Sequence, residues 1–253
     1  MLKASLFIKS ILLAIIFNAN SYALNHRHLQ IVTEHLPPFQ IDNNGKVSGF
    51  ATEIVETALE QTQLDFAITS YPWTRAYNMA PKMDNTCIYS IARTPEREKL
   101  FQWIHAIATT NSTFIGLKKS NIVLNTIEDA KKYRIAVLRD DATHQALINK
   151  GFEEGKNLFI VNNTYSLLKL LVQRNTIDLI LADTVTVKFR AQYDNIDPAI
   201  FKPLLHLNKK PFNFYFACSQ STPTTVVDKI KRAFIHIKDS GQQHAITQHW
   251  QQL

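Results

Sequence analysis

One short stretch, Ser90 to Trp103 (S-I-A-R-T-P-E-R-E-K-L-F-Q-W), carries the densest chemistry in the chain. An apolar run, Cys87-Ile88-Tyr89, ends in Ser90; Arg93 and Arg97 then flank a Thr-Pro turn, and Phe101 and Trp103 lie just beyond. Pro95 fixes its own φ and pushes Thr94 towards extended geometry, so neither strand nor helix runs through the turn. Arg97 is therefore presented from a stiff loop at a strand end. A guanidinium held this way offers a planar fork of donors that matches a carboxylate, which lysine's point charge cannot imitate. The structural alternative is a surface loop with solvated arginines.

Carboxylates stand at three other strand ends. Glu34 follows the strand-like Leu29–Thr33, and Asp183 closes the run Ile177-Asp178-Leu179-Ile180-Leu181-Ala182, apolar apart from Asp178. Asp140-Asp141-Ala142-Thr143 leads from a strand over 134–138 into a helix. Free N–H groups and the dipole make such a junction an anion site, with Thr143 supplying a hydroxyl. The two aspartates there would repel an anion unless one acts as the helix N-cap. Asp183 has a structural alternative of the same kind, capping the helix that follows it. Among the aromatics, Phe50 follows Gly49 at a helix start, where it is either a pocket wall or the first core residue. Trp73 is a candidate cleft-mouth aromatic and Arg75 a second cationic group; helix-start packing and a solvated charge are the alternatives.

The motif T-P-E-R after a strand end, with F-x-W behind it, resembles the extracellular solute-binding proteins of family 3, the polar amino-acid receptors of ABC importers. T-E-x-x-P-P-F at Thr33–Phe39 and G-F-A-T-E-I at Gly49–Ile54 fit the same pattern. The resemblance implies an α/β, two-lobed periplasmic-binding-protein fold of type II, two βαβαβ halves joined by two hinge strands. It implies that Arg97 grips a ligand carboxylate with help from Ser90 and Thr143, and that Asp183, with Glu34 and Asp141 nearby, receives a cationic group over Phe50. Arg93, in a segment about two residues longer than the family pattern, is the alternative to Arg97. Leu36 stands where the family commonly has an aromatic, so part of an aromatic sandwich is expected to be missing.

The elements that must position these residues alternate. Strands are expected at 29–33, 64–70, 86–90, 134–138, 158–161 and 177–181, with helices opening at Phe50, Pro72, Thr126, Asp141 and Tyr165, the last capped by Thr164. A helix followed by an aspartate and a strand occurs twice, near 79–88 and 171–181, which implies two βαβαβ halves with right-handed crossovers and ligand-facing edges at the strand C-termini. The β-rich segments Thr109–Leu117 and Lys210–Ser219 read as two hinge strands, dividing the chain into a first domain of residues 24–116 with 208–253 and a second of 117–207. The face Val226, Val227, Ile230, Phe234, Ile237 defines a long C-terminal helix.

The 253-residue chain opens with Lys3 and Lys9 ahead of an apolar run, Ile11–Phe17, and Ser21-Tyr22-Ala23, the pattern of a signal peptide over residues 1–23. A periplasmic protein is expected. The net charge of +7 is spread thinly, without the dense basic run that nucleic acid would require. Cys87 and Cys218 cannot build a disulfide framework; they pair if their strands are neighbours, but buried free thiols are the expectation. G-x-S-x-G, H-E-x-x-H and metal-spaced Cys/His clusters are absent, so no cofactor is expected. The leading expectation is a monomeric, non-enzymatic receptor for a small amino-acid-like ligand, delivering it to a membrane ABC permease. The alternatives are a dehydratase-like enzyme on the same scaffold, using Glu34, Asp141 or His144, and a ligand sensor for a separate signalling protein.

Overall fold

The computed structural model describes residues 28–162, 165–173 and 176–252. The signal-like segment 1–23 and the expected cap Thr164 lie outside these residues.

The chain begins with β1 (Leu29–Thr33), a hairpin of β2 (Ile41–Asn43) and β3 (Lys46–Ser48), and helix α1 (Phe50–Glu60). Apolar spacing on α1 buries Ala51, Ile54, Val55, Ala58 and Leu59 along one face. The helix starts at Gly49, whose φ of 110° suits only glycine. An added Cβ there would stand 2.6 Å from Phe39 O and 2.8 Å from Pro38 O. The Pro37-Pro38-Phe39 turn is that close because its carbonyls accept from the first helical amides, Phe50 N to Pro38 O and Ala51 N to Phe39 O.

There follow β4 (Phe66–Ser70), α2 (Trp73–Met79), β5 (Thr86–Ala92) and β6 (Phe101–Thr110). Next come β7 (Thr113–Leu117), α3 (Ile127–Ala130), β8 (Ile135–Leu138), α4 (Ala142–Ile148), β9 (Leu158–Val161), α5 (Tyr165–Gln173), β10 (Leu179–Ala182) and α6 (Thr184–Tyr193). The chain closes with β11 (Phe201–His206), β12 (Phe212–Ser219), α7 (Thr224–Asp239) and α8 (Gln242–Gln252).

Two five-stranded mixed sheets result, in the orders β4-β1-β5-β12-β6 and β11-β7-β10-β8-β9. In the first, β1 runs parallel to β4 and β5, while β12 is antiparallel to β5 and β6. In the second, β8 runs parallel to β9 and β10, while β7 is antiparallel to β10 and β11. The two plans are the same: each antiparallel strand is the one that has just arrived from the other sheet. Buried runs such as β5 (T-C-I-Y-S-I-A) and β8 (I-A-V-L) lack alternation because both faces of the sheet are covered.

This plan corrects two expectations. Thr109–Leu117 is not one crossing strand: β6 ends at Thr110 in the first sheet and β7 begins at Thr113 in the second, so the chain changes sheet at Asn111-Ser112. Likewise β12 lies wholly in the first sheet, and the return crossing falls between His206 and Phe212. Apolar strand residues continue through both crossings, which is why the sequence pattern alone merges them. Cys87 and Cys218 are also not free thiols. They are register partners on β5 and β12, joined as a disulfide across 131 residues of sequence. The return of β12 beside β5 creates that adjacency, which no local pattern announces.

Three apolar clusters hold the molecule. One packs α1, α7 and α8 on the first sheet, with Val227, Ile230, Phe234 and Ile237 of α7 buried as the periodicity predicts; each such side chain contributes about 1.5–3 kcal/mol relative to exposure. Another fills the second sheet under α3 and α4 around Phe114, Val137 and Leu147. The third takes Trp73, Ile88 and Phe101 from the first lobe and Leu138, Leu167 and Ile180 from the second, so the two lobes are in contact.

Candidate functional site

A cavity of about 100 Å³ lies between the lobes, at the C-terminal ends of β1, β5, β8 and β10 and against the Thr110-Asn111-Ser112 crossing. That is several times the roughly 10–15 Å³ that one water requires. Glu34, Trp73, Ser90, Arg97, Asp141, Thr143 and Asp183 all line it, as does a residue the sequence reading passed over, Arg190.

Arg97 is 4% exposed. Its Nη1 donates to Ala92 O at 3.1 Å and its Nη2 crosses the cleft to Asp140 O at 2.9 Å. The guanidinium lies 5.3 Å from the Trp73 ring and 4.7 Å from Tyr77, so aromatic faces fix its plane. Arg93 is outside: its Nε donates to Glu98 Oε2 at 2.8 Å and it lies over Trp103 and Tyr215 on the exposed flank. The stiff turn at Thr94-Pro95 sends the two side chains to opposite sides.

Ser90 sits at φ 58°, and the register explains why. Tyr215 faces Ile91 and Phe216 faces Tyr89, which makes Ser90 the extra residue of a β-bulge. The bulge aims Ser90 at the cavity, where its Oγ donates to Gln40 Oε1 at 2.8 Å.

On the second lobe, Asp141 is the N-cap of α4, accepting from His144 N at 2.6 Å and from the Thr143 hydroxyl at 2.7 Å. Thr143 thus spends its hydroxyl on Asp141. Asp183 caps α6 through Oδ1, accepting from Val185 N at 2.9 Å and Thr186 N at 3.3 Å. Its Oδ2 accepts from Thr110 Oγ1 at 3.0 Å and Asn111 N at 3.3 Å, which ties α6 to the crossing between lobes. Arg190 is seven residues, about two helical turns, beyond Asp183 and shares its side of α6. Its Nη2 reaches back across the cleft to His35 O at 3.5 Å. That i, i+7 spacing was the available signal. Each lobe therefore sends one arginine to a backbone carbonyl of the other.

Glu34 is 9% exposed and its carboxyl makes no hydrogen bond among the described residues. Burial pushes its pKa up to about 8; Arg190 and Arg97 oppose this, and Asp141 adds to it. Burial also raises Asp141, against the hydrogen bonds from His144 and Thr143 and the charge of Arg97. The neighbouring His35 is held down to about 4 by burial and by Arg190, consistent with its Nδ1 accepting from Asp42 N at 2.9 Å.

Besides Arg93, the expected residues Phe50, Arg75 and His144 are not brought to the cavity. Phe50 packs behind Phe39 at 4.8 Å, and Phe39, with Leu36, Phe212 and Phe214, forms the apolar wall instead. Because α1 starts beneath the proline turn, Phe39 is interposed. Arg75 stacks at 4.4 Å on Tyr71, away from the cavity. His144 does not line it either: it bridges Asp140 N and Glu154 Oε1. Trp73 does line it, and its buried Nε1 has no partner among the described residues. Among those residues no group of His, Cys, Asp and Glu could hold a metal ion.

The arrangement offers two guanidinium groups, three carboxyl groups, an indole N–H and an aromatic wall around one small volume. It suits a molecule that carries both an anionic and a cationic group.

The family of bacterial extracellular solute-binding proteins, family 3, matches residues 29–252. The amino-acid-binding protein AabA of Dichelobacter nodosus is 22% identical over 229 residues, covering 89% of this chain and 87% of that protein. Among solved structures, a histidine kinase sensor domain with similarity to periplasmic binding proteins superposes with a TM-score of 0.78 at 17% identity, covering 89% of this chain and 96% of that one. An ABC uptake transporter substrate-binding protein from Streptococcus pneumoniae with bound histidine gives a TM-score of 0.75 at 16% identity, covering 88% and 92%. These likenesses carry the two-lobed periplasmic-binding-protein fold.

Proposed function

The chain belongs to family 3 of the bacterial extracellular solute-binding proteins, a family of binding receptors rather than enzymes, and from that premise we propose that it captures an amino-acid-like zwitterion between its lobes for ABC-type import. Residues 1–23 direct it to the periplasm and are removed, and the closed receptor presents its ligand to a membrane permease.

The observation that carries this reading is the pair Arg97 and Asp183, one from each lobe, lining the same cavity. Arg97 has donors left beyond its two backbone carbonyls and is the group for a ligand carboxylate. Asp183, anchored at the crossing, accepts the ligand ammonium. A zwitterion answers both charges at once, whereas a neutral sugar would leave two desolvated charges unmatched. Thr143 and Ser90 act by holding Asp141 and Gln40 rather than by direct contact, Trp73 offers its indole N–H, and Glu34 and Arg190 adjust the charge.

Truncating one partner of a desolvated charge pair costs about 2–5 kcal/mol. Arg97→Ala and Asp183→Ala are therefore expected to weaken binding of L-glutamine, L-histidine or L-arginine by about 30-fold or more. Arg93→Ala, on the outer flank, leaves affinity within about twofold. Titration calorimetry on exported protein, shown by intact mass to begin after Ala23, measures this. Full affinity in Arg97→Ala, or loss only in Arg93→Ala, would remove the proposed clamp.

A further inference from the structure

Glu34 stands apart from every other charged group in the cleft. Asp141 and Asp183 each accept hydrogen bonds from their own helix starts, and Arg97 and Arg190 each reach a carbonyl of the opposite lobe. The Glu34 residue is buried, whereas Asp141 and Asp183 are half-buried; its carboxyl lines the same cavity and takes no hydrogen bond from any described residue. A buried carboxylate without donors is among the costliest groups a protein can hold, and it takes up a proton instead.

Its surroundings set the balance. From α6 comes Arg190, from the loop after β5 Arg97, from the turn into α4 Asp141, and from the start of α6 Asp183. His35, next in sequence, accepts a backbone amide at Nδ1 and is neutral in that arrangement. With Glu34 protonated, two guanidinium groups meet two carboxylates and the cavity is neutral, which fits a ligand of zero net charge. With Glu34 ionised the cavity carries one negative charge in excess, which fits a ligand with an additional cationic group.

We propose that Glu34 sets which ligand charge the receptor accepts: it keeps its proton over a zwitterion of zero net charge, and yields that proton to solvent when a ligand bearing a second cationic group binds. Ligand selectivity is then a function of pH, through a single exchangeable proton on the first lobe. The proposal rests on the amino-acid reading of the same cavity. Its chemistry agrees with the direction of the Glu34 shift, which burial causes and the Asp141 charge reinforces.

Two measurements decide it. Infrared spectroscopy of the ligand-free protein at about pH 7 is expected to show the carbonyl stretch of a protonated carboxylic acid, lost in Glu34→Gln and kept in Asp141→Asn. Absence of the band in the parent protein, or its survival in Glu34→Gln, overturns the proposal without reference to any ligand. Calorimetry in phosphate and in Tris, whose ionisation enthalpies differ, then counts protons. L-Arginine is expected to release close to one proton at about pH 7, and its affinity to rise by up to about tenfold per pH unit below about pH 8; L-glutamine should release none. In Glu34→Gln, L-arginine that binds is expected to do so without that release. An L-arginine complex formed without proton release, release undiminished in Glu34→Gln, or L-glutamine binding with no L-arginine binding at about pH 8.5, overturns it. Should neither amino acid bind, the amino-acid reading falls, and the infrared band alone decides whether Glu34 holds the proton.

Discussion

At the scale of single residues, the cleft leaves the Glu34 carboxyl without donors among the described residues while Asp141 and Asp183 accept several hydrogen bonds. This has a consequence for stability that is independent of ligand. The Glu34 pKa rises from 4.5 to about 8 on folding, so between those values the folded chain holds a proton that the unfolded chain has lost. Stability from this group is complete below about pH 4.5 and falls as pH rises through about 8, amounting to a few kcal/mol. Glu34→Gln removes the titration. Relative to the parent, the variant is expected to gain stability steadily from about pH 5 to about pH 8 in urea unfolding. A constant difference across that range would show that Glu34 ionises normally in the fold. Arg97 illustrates the converse: its position between Trp73 and Tyr77 and its two carbonyl partners hold the fork in one plane, which lysine could not do.

At the scale of elements, strand β5 does the most to organise the site. Its bulge at Ser90 points a side chain at the cavity, its exit loop presents Arg97, and Cys87 near its start fastens it to β12. The disulfide joins a strand of the first lobe's βαβαβ half to the strand that returns from the second lobe, closing a loop of 131 residues. Cross-links over loops of that size restrict the unfolded chain and are typically worth about 2–4 kcal/mol. Cys87→Ser with Cys218→Ser is expected to lower unfolding free energy by that amount while ligand affinity changes little, because neither sulfur lines the cavity. Equal urea midpoints for oxidised and reduced protein would contradict this. The bulge and the pairing were both beyond the reach of sequence: β5 read correctly as an apolar strand, but its register against β12 depends on a segment more than a hundred residues away.

At the scale of the whole molecule, side chains and apolar packing bridge the two lobes. Arg97 to Asp140 O, Arg190 to His35 O, and Asn149 Nδ2 to Glu96 Oε1 at 3.3 Å all bridge the lobes, and one apolar cluster draws on both. We propose that the lobes hinge at the two short crossings, Asn111-Ser112 and the segment between β11 and β12, and that a ligand favours closure only by the contacts it adds in the closed cleft. Small-angle scattering is expected to show a smaller radius of gyration with saturating amino acid than without. Arg190→Ala should enlarge the ligand-free value by removing one of the bridges. Identical radii in the free and saturated protein would argue against hinge closure.

What the sequence determined by itself was whatever local chemistry fixes: alternating apolar strands and amphipathic helices, the Thr126 capping box, the long α7 face, and the strand-end placement of Glu34, Asp141 and Asp183, whereas Ser90, expected at a strand end, lies inside β5 at its bulge. These follow from periodicity and capping within a few residues, and the short motifs around Arg97 carried the family. The tertiary structure decided which of two arginines four residues apart faces inward, that Phe39 and not Phe50 forms the aromatic wall, where each crossing changes sheet, and that two cysteines 131 residues apart are partners. It also brought Arg190 opposite Glu34. Each of these depends on how one lobe packs against the other, and such long-range contacts leave no periodic trace in either partner's own sequence.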